Sequence, residues 1–245
     1  MKSLSLLLFV TLCFQSFFGY AETAHIYSFQ GLSKKLGYPN KTYFGAPEKE
    51  RADLEIYTEQ GDTYYKEIND YLRFFPNEYN WTGTSPEDAK LIVTHMDHLL
   101  ARQPSLPKDL LLFRGVDLNF RGNQSYSIGE EFIEKAYVST STDFKVAKYF
   151  AVEMSADEEG NASHKKAIFV FYINRPELKG VLIGSEERAS EEEVLLPHSQ
   201  KIRVMALRTK DLPYDLYLAQ ICPKTCDSQI RADVANFWKK FIPVK

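Results

Sequence analysis

The sequence predicts an α+β protein in which an N-terminal helical layer packs on a largely antiparallel sheet. Two observations carry that expectation. Up to residue 103 the periodic segments are helical, with an apolar stripe and recognisable end signals. From Leu110 onward they are short, β-branched or aromatic-rich and bounded by turn residues, with a single helix among them.

Residues 22–60 are polar, punctuated by Gly37, Pro39, Gly45 and Pro47, and show no strong periodicity. Asp62 or Thr63 then caps a helix whose stripe is Tyr64, Ile68, Tyr71, Leu72 and Phe75, ended by Pro76. Ser85-Pro86-Glu87-Asp88 is a second helix start: a cap, a proline at the first helical position and acids in the first turn. This helix is expected to run to about Arg102. Strands are predicted at Leu110–Arg114, Ala136–Ser141, Ala167–Ile173, Val181–Ile183, Val194–Leu196, Lys201–Leu207 and Asp215–Cys222. Between the second and third, Asp143 caps a helix reaching about Met154, followed by a polar loop at 155–164. A last amphipathic stretch, Ile230, Val234, Phe237, Trp238 and Phe241, is expected to dock on the core.

Met1-Lys2, an apolar run from Leu4 to Phe18 and Gly19-Tyr20-Ala21 describe a secretory leader cleaved after Ala21. The run is too short for a membrane span. Leu12 is larger than the residue usually preceding a lipid-bearing cysteine, which favours simple cleavage over anchorage at Cys13. The expected organisation is a leader over residues 1–21 and one domain over 22–245, secreted, monomeric and without a stable membrane anchor. The formal charge of −3 for the whole chain gives no reason to expect nucleic acid as a partner. In an exported protein, Cys222 and Cys226 read as a local disulfide, with two free thiols as the other reading. His95 and His98 share a helix face, but no third ligand stands nearby, so no metal is expected.

Three segments contradict simple burial. Leu111-Leu112-Phe113-Arg114-Gly115 ends an apolar strand on an arginine, beside a glycine that lets another backbone or a ligand approach. Tyr137-Val138-Ser139-Thr140-Ser141-Thr142 sets hydroxyls in a row, with Ser139 and Ser141 on one face. Glu191-Glu192-Glu193 leads into Val194-Leu195-Leu196; on an extended segment Glu191 and Glu193 face the same side and Glu192 is a spacer. Singly, these are an exposed strand end, an edge strand and a solvated acidic loop.

Together, in this order, they resemble the Arg–Ser–Glu signature of the mono-ADP-ribosyltransferases, a family of secreted bacterial toxins of the iota and Vis kind and of vertebrate ecto-enzymes. The helix Tyr65-Lys66-Glu67-Ile68-Asn69-Asp70-Tyr71-Leu72-Arg73 fits the same family's Tyr-x-x-Ile-Asn-x-Tyr-Leu-Arg pattern, and the likeness spans about residues 60–207. The resemblance implies a mixed, mainly antiparallel two-sheet core. NAD would be consumed as a substrate, with no metal, and a target protein would bear the acceptor arginine. It implies that Arg114 anchors the NAD phosphates and that Gly115 offers backbone groups to the nicotinamide amide. Ser139 would orient Glu193, supported by Thr140 and Ser141. Glu193 would hold the nicotinamide ribose and stabilise its developing charge, while Glu191 would steer the acceptor and take its proton. Phe150 would pack on the nicotinamide, and Tyr65 and Asn69 would contact the adenosine half. Two departures stand out. Arg188 occupies a place where related toxins often carry an aromatic, and the 155–164 loop lacks their NAD-contacting arginine, leaving Lys165 or Lys166 as substitutes.

The chemistry supports these roles independently. Nicotinamide leaves neutral, so its departure needs no general acid. The site must instead supply a fixed negative charge near the anomeric carbon and a rigid grip on the diphosphate. A bidentate arginine suits that grip better than lysine. A guanidinium acceptor, with a pKa above about 12, needs a second carboxylate to receive its proton. Two rival readings are a secreted NAD glycohydrolase and a catalytically dead secreted binding protein of the same fold.

Overall fold

Helical structure begins earlier than the sequence periodicity suggests. In the computed structural model, which describes residues 26–38, 46–58, 64–76, 83–152, 165–183, 192–210, 212–222, 225–226, 234–236 and 238, helices form at Phe29–Leu36 (α1) and Glu48–Thr58 (α2). Local chemistry accounts for α1. The Ser28 hydroxyl accepts from Gly31 N–H at 3.1 Å, and Gly37 closes the other end in the left-handed conformation. Helix α2 depends on tertiary contacts: Leu54 and Tyr57 are buried, and buried Glu50 pairs with Arg102.

The next two helices follow the sequence closely. They are Tyr64–Phe74 (α3) and Pro86–Arg102 (α4), the latter capped by the Ser85 hydroxyl accepting from Asp88 N–H at 3.1 Å. A fifth, Phe144–Val152 (α5), lies where Asp143 predicted it; the residues expected to cap α3 fall outside the described ones. The strands are Leu111–Asp117 (β1), Glu131–Glu134 (β2), Val138–Ser141 (β3), Lys166–Ile173 (β4), Val181–Ile183 (β5), Glu193–Leu196 (β6), Gln200–Arg208 (β7) and Asp215–Cys222 (β8). Strand β2 is absent from the sequence expectation. It is a four-residue edge strand with glutamates at both ends, too short for alternation to distinguish it from a loop.

The strands join in the order β2-β7-β8-β4-β1-β3-β6-β5. Pairing is antiparallel except between β4 and β8, which run parallel from Ala167↔Asp215 to Ile173↔Ile221. In place of two separate sheets the eight strands form one mixed sheet, narrowed at a single link. Among the described residues β1 and β3 share the single pair Phe113↔Ser141, so five strands lie on one side of that link and three on the other.

Two apolar clusters cover the strands. One gathers Leu112, Val138, Phe169, Val194 and Tyr217 with Leu32 of α1. The other joins Leu54, Ile68, Met96 and Leu99 of α2–α4 to Tyr137, Val181 and Leu195. Fully burying such a Leu or Ile stabilises the fold by about 1.5–3 kcal/mol. Cys222 and Cys226 form a disulfide.

These features belong to one compact unit, His25–Gln229. A second unit comprises Met1–Ala24 and Ile230–Lys245 and contains both the expected leader and the C-terminal amphipathic stretch. Within it residues 234–236 are helical. No helix among the described residues is long and apolar enough to cross a membrane.

Candidate active site

The β1–β3 link sets the geometry of the site. Extending the register from Phe113↔Ser141 would place Gly115 opposite Ser139, yet no second pair forms among the described residues, which leaves a gap in the ladder there. Arg114 and Gly115 therefore stand on one lip of the gap, Ser139 and Thr140 on the other.

Gly115 shows why the first lip is built as it is. A Cβ at this position would lie 1.9 Å from the Ala147 carbonyl oxygen and 2.7 Å from Ala151 N, both backbone atoms of α5. The glycine thus admits the helix against the strand, the first of the two roles its sequence context allowed. Helix α5 is aligned by Asp143, whose N–H donates to Ser141 Oγ at 3.0 Å and whose carboxylate accepts from Lys145 N–H at 2.8 Å. Phe150, expected over the nicotinamide, is an exposed residue of this helix beside Ala151.

Arg114 is half-buried and does not stand alone. Its guanidinium lies 3.9 Å from Glu134 Oε2, while Glu134 Oε1 accepts from Arg73 at 3.2 Å and from Ala136 N–H at 3.2 Å. One carboxylate on β2 thus holds two arginines from α3 and β1 around a common point. The 3.9 Å separation exceeds hydrogen-bond length, so Glu134 steers the Arg114 guanidinium without using its donors in a short bond. Two convergent guanidinium groups fit a diphosphate.

Strand β3 supplies the other lip. Ser139 is exposed, whereas Thr140 and Ser141 are buried. The Thr140 hydroxyl donates to the Val194 carbonyl at 2.5 Å and so supports β6 rather than facing the gap. Antiparallel register places Ser141 opposite Glu193 and Ser139 opposite Leu195, so Ser139, Ser141 and Glu193 share one face. Glu193, half-buried at the start of β6, is also paired with Ile183 of β5. Glu191 and the preceding loop, including Arg188, lie outside the described residues.

Tyr57 of α2 is a buried phenol whose hydrogen-bond partner is Asn69 of α3. Its buried hydroxyl exchanges hydrogen bonds with the Asn69 side chain, at 3.2 Å to Oδ1 and 3.1 Å from Nδ2. Burial, above all, pushes its phenol pKa up; Asn69, Arg114 and Arg73 pull it down, and Glu193 raises it further. One neutral phenol is therefore within electrostatic range of Glu193, Arg114 and Arg73. The sequence shows nothing of Tyr57 or Glu134, because both act across long chain separations. Asn69 is engaged by Tyr57 on the α3 face, while Tyr65 is exposed on the same helix.

Glu192 differs most from its sequence reading. Instead of a spacer on a regularly extended segment, it has φ 45° and accepts twice from Thr142: at its carbonyl from the backbone N–H, 3.3 Å, and at Oε2 from the hydroxyl, 2.8 Å. A left-handed backbone costs a non-glycine residue about 1–2 kcal/mol, so these bonds offset real strain.

Other candidates have different employment. Lys165 pairs with buried Asp215 at 3.2 Å, and Lys166 is buried in β4. His95 contacts Asp53, joining α4 to α2. Among the described residues no cluster of His, Cys, Asp and Glu is arranged to hold a metal ion.

The interrupted β1–β3 ladder thus has two arginines drawn toward Glu134 on one side and half-buried Glu193, across from Ser141, on the other. The chain belongs to the ADP-ribosyltransferase exoenzyme family, whose model matches residues 29–219. NAD is the substrate of this family, and its activity is NAD-dependent mono-ADP-ribosyl transfer. Solved structures agree in fold. The ADP-ribosyltransferase Vis of Vibrio splendidus in complex with the M6 inhibitor is 23% identical, with TM-score 0.60 over 80% of this chain and 83% of that one. Vis in complex with agmatine is 20% identical, with TM-score 0.58 over 80% and 85%. An ADP-ribosyltransferase of Clostridium botulinum, in a triclinic crystal form, is 17% identical, with TM-score 0.55 over 81% and 98%. At these identities the likeness is one of fold. A comparison with curated protein sequences returns no match.

Proposed function

We propose that the protein is a secreted bacterial toxin or effector that transfers ADP-ribose from NAD to an arginine side chain of a target protein. Residues 22–245 would be the mature catalytic chain after removal of the leader. The observation that supports the reading is the interrupted ladder at the Phe113↔Ser141 pair, which sets Arg114 next to it on β1 and Ser139, Ser141 and the facing Glu193 on β3 and β6.

In this reading Arg114, with Arg73 beside it, grips the diphosphate, and Glu134 keeps the two guanidinium groups convergent. Gly115 presents backbone to the nicotinamide amide, with Phe150 of the neighbouring helix against the ring and Tyr65 and Asn69 toward the adenosine. The bond between nicotinamide and ribose C1′ breaks with its electron pair leaving on the nicotinamide nitrogen. Positive charge then develops on the ribose beside Glu193, which Ser139 orients and Ser141 flanks. Because Glu193 starts half-buried, its charge acts through less solvent than a fully exposed carboxylate would. A guanidinium nitrogen of the acceptor bonds to C1′ and its proton passes to Glu191.

In terms of the family that the Arg–Ser–Glu signature resembles, glutamate rather than glutamine at position 191 implies arginine as the acceptor. The agmatine held by Vis supports the same choice, since it presents a guanidinium group without the rest of a protein. The direct test is incubation with NAD labelled in its ADP-ribose portion and a host-cell lysate, followed by mapping of the modified residue. Label on arginine is the expected result. Label on cysteine, asparagine or nucleic acid would overturn the acceptor assignment, and nicotinamide release without label transfer would favour a NAD glycohydrolase.

A further inference from the structure

Glu193 is the first residue of a four-residue strand, and strand ends are where ladder hydrogen bonds are most easily lost. A carboxylate placed there needs something to hold the backbone just before it. That position is Glu192, fixed at φ 45° by two hydrogen bonds from Thr142.

Thr142 is itself firmly placed. It is 3% exposed, follows the end of β3 and precedes Asp143, which aligns α5. Its buried hydroxyl has a charged acceptor in Glu192 Oε2, the stronger kind of hydrogen bond. The contact ties the mouth of β6 to the β3–α5 junction, and through α5 to Gly115. It also occupies the middle carboxylate of the acidic run with Thr142.

We propose that Glu192 is a positioning residue for the transfer reaction, its bond to Thr142 locking the entrance of β6 so that the Glu193 carboxylate stays aligned with Ser141 and the gap. The inference rests on the role proposed above for Glu193.

The test is a double-mutant cycle of Glu192→Ala and Thr142→Val, read as kcat and KM for nicotinamide release from NAD and as melting temperature. Each single variant is expected to lower kcat about tenfold, as for one lost charge-assisted hydrogen bond. KM for NAD should stay within about twofold, because the diphosphate grip lies on α3 and β1. The double variant should be no slower than the slower single. Glu192→Gln keeps a side-chain acceptor for the Thr142 hydroxyl and should recover most of the rate. Glu192→Gly, which relieves the positive φ but removes the carboxylate, should be as slow as alanine.

Additive losses, a rise in KM at constant kcat, or a wild-type rate for Glu192→Gly would each overturn the proposal. If Glu192→Ala or Thr142→Val fails to fold, the contrast between glutamine and glycine at position 192 decides it. A wild-type rate in Glu193→Gln would instead overturn the functional reading. The 142–192 coupling in melting temperature would still report whether the clamp exists.

Discussion

Replacing Gly115 by alanine separates the two reasons a glycine can follow the site arginine. The added methyl would lie 1.9 Å from the Ala147 oxygen and 2.7 Å from Ala151 N, where ordinary contact begins at 3.4 Å. The helix or the strand must therefore give by about 1.5 Å at the closer contact. Neither contact is the flexible end of a side chain. Moving α5 also disturbs the edge-to-face packing of Phe144 on Phe113, whose ring centroids are 5.7 Å apart. Overpacking of a well-filled interior costs about 1–3 kcal/mol, and two backbone clashes place this case near the top of that range. For a chain of this size about 3 kcal/mol lowers the melting temperature by roughly 6–12 °C. Circular dichroism of the purified variant, with NAD turnover measured below its transition, reads both consequences. A melting temperature within about 2 °C of wild type, with NAD binding abolished, would refute the packing argument and leave Gly115 as a ligand-approach position only.

Further outcomes follow from the same structure. Arg114→Lys should keep its melting temperature but raise KM for NAD about 10–100-fold, because an ammonium cannot pair bidentately; Glu134→Ala should raise KM about tenfold by releasing both arginines. Steady-state kinetics decide, and a fall in KM for Glu134→Ala would show that this carboxylate competes with the diphosphate rather than preparing its place. Alkaline pH should unfold the protein. The phenols of Tyr38, Tyr57, Tyr137 and Tyr217 are all raised by burial above their ordinary 10.0. The folded state therefore holds protons that the unfolded chain releases, so stability is fully present below about pH 10 and falls as pH rises beyond it. Ultraviolet titration should show these phenols silent until the circular dichroism transition; ionisation without unfolding would contradict the assignment. Reduction of the Cys222–Cys226 bond should cost about 2 kcal/mol by the chain-entropy relation for so short a loop, or roughly 4–8 °C in melting temperature.

The legible parts of the molecule share a physical property: their chemistry is local. Ser85-Pro86 announces α4 because capping and proline placement act within one turn. Arg114, the Ser139-Thr140-Ser141 strand and Glu193 stand out because polar groups interrupt segments that otherwise read as buried. What the sequence hides is decided across distance. Glu134 meets Arg73 over 61 residues and Tyr57 meets Asn69 between two helices, neither marked by any spacing rule. Helix α2 escapes periodicity because it is held by a few buried groups, Glu50, Leu54 and Tyr57, rather than by a continuous stripe. Glu192 escapes because the acidic run reads as regular alternation, and a backbone at φ 45° does not alternate. Gly115 is legible as a place of close approach, but only the structure shows that α5 is what approaches.

Two glutamates are proposed to divide one transfer reaction, Glu193 serving the ribose and Glu191 the acceptor arginine. The measurement that reaches this division most directly compares Glu191→Gln and Glu193→Gln with wild type in one assay, following nicotinamide release from NAD and label transfer to agmatine together. Glu193→Gln is expected to lose both activities by about 100-fold or more, the scale of removing a group that acts at the transition state. Glu191→Gln should lose transfer while most nicotinamide release remains. Equal loss of both activities in Glu191→Gln, or transfer that survives Glu193→Gln, would contradict it.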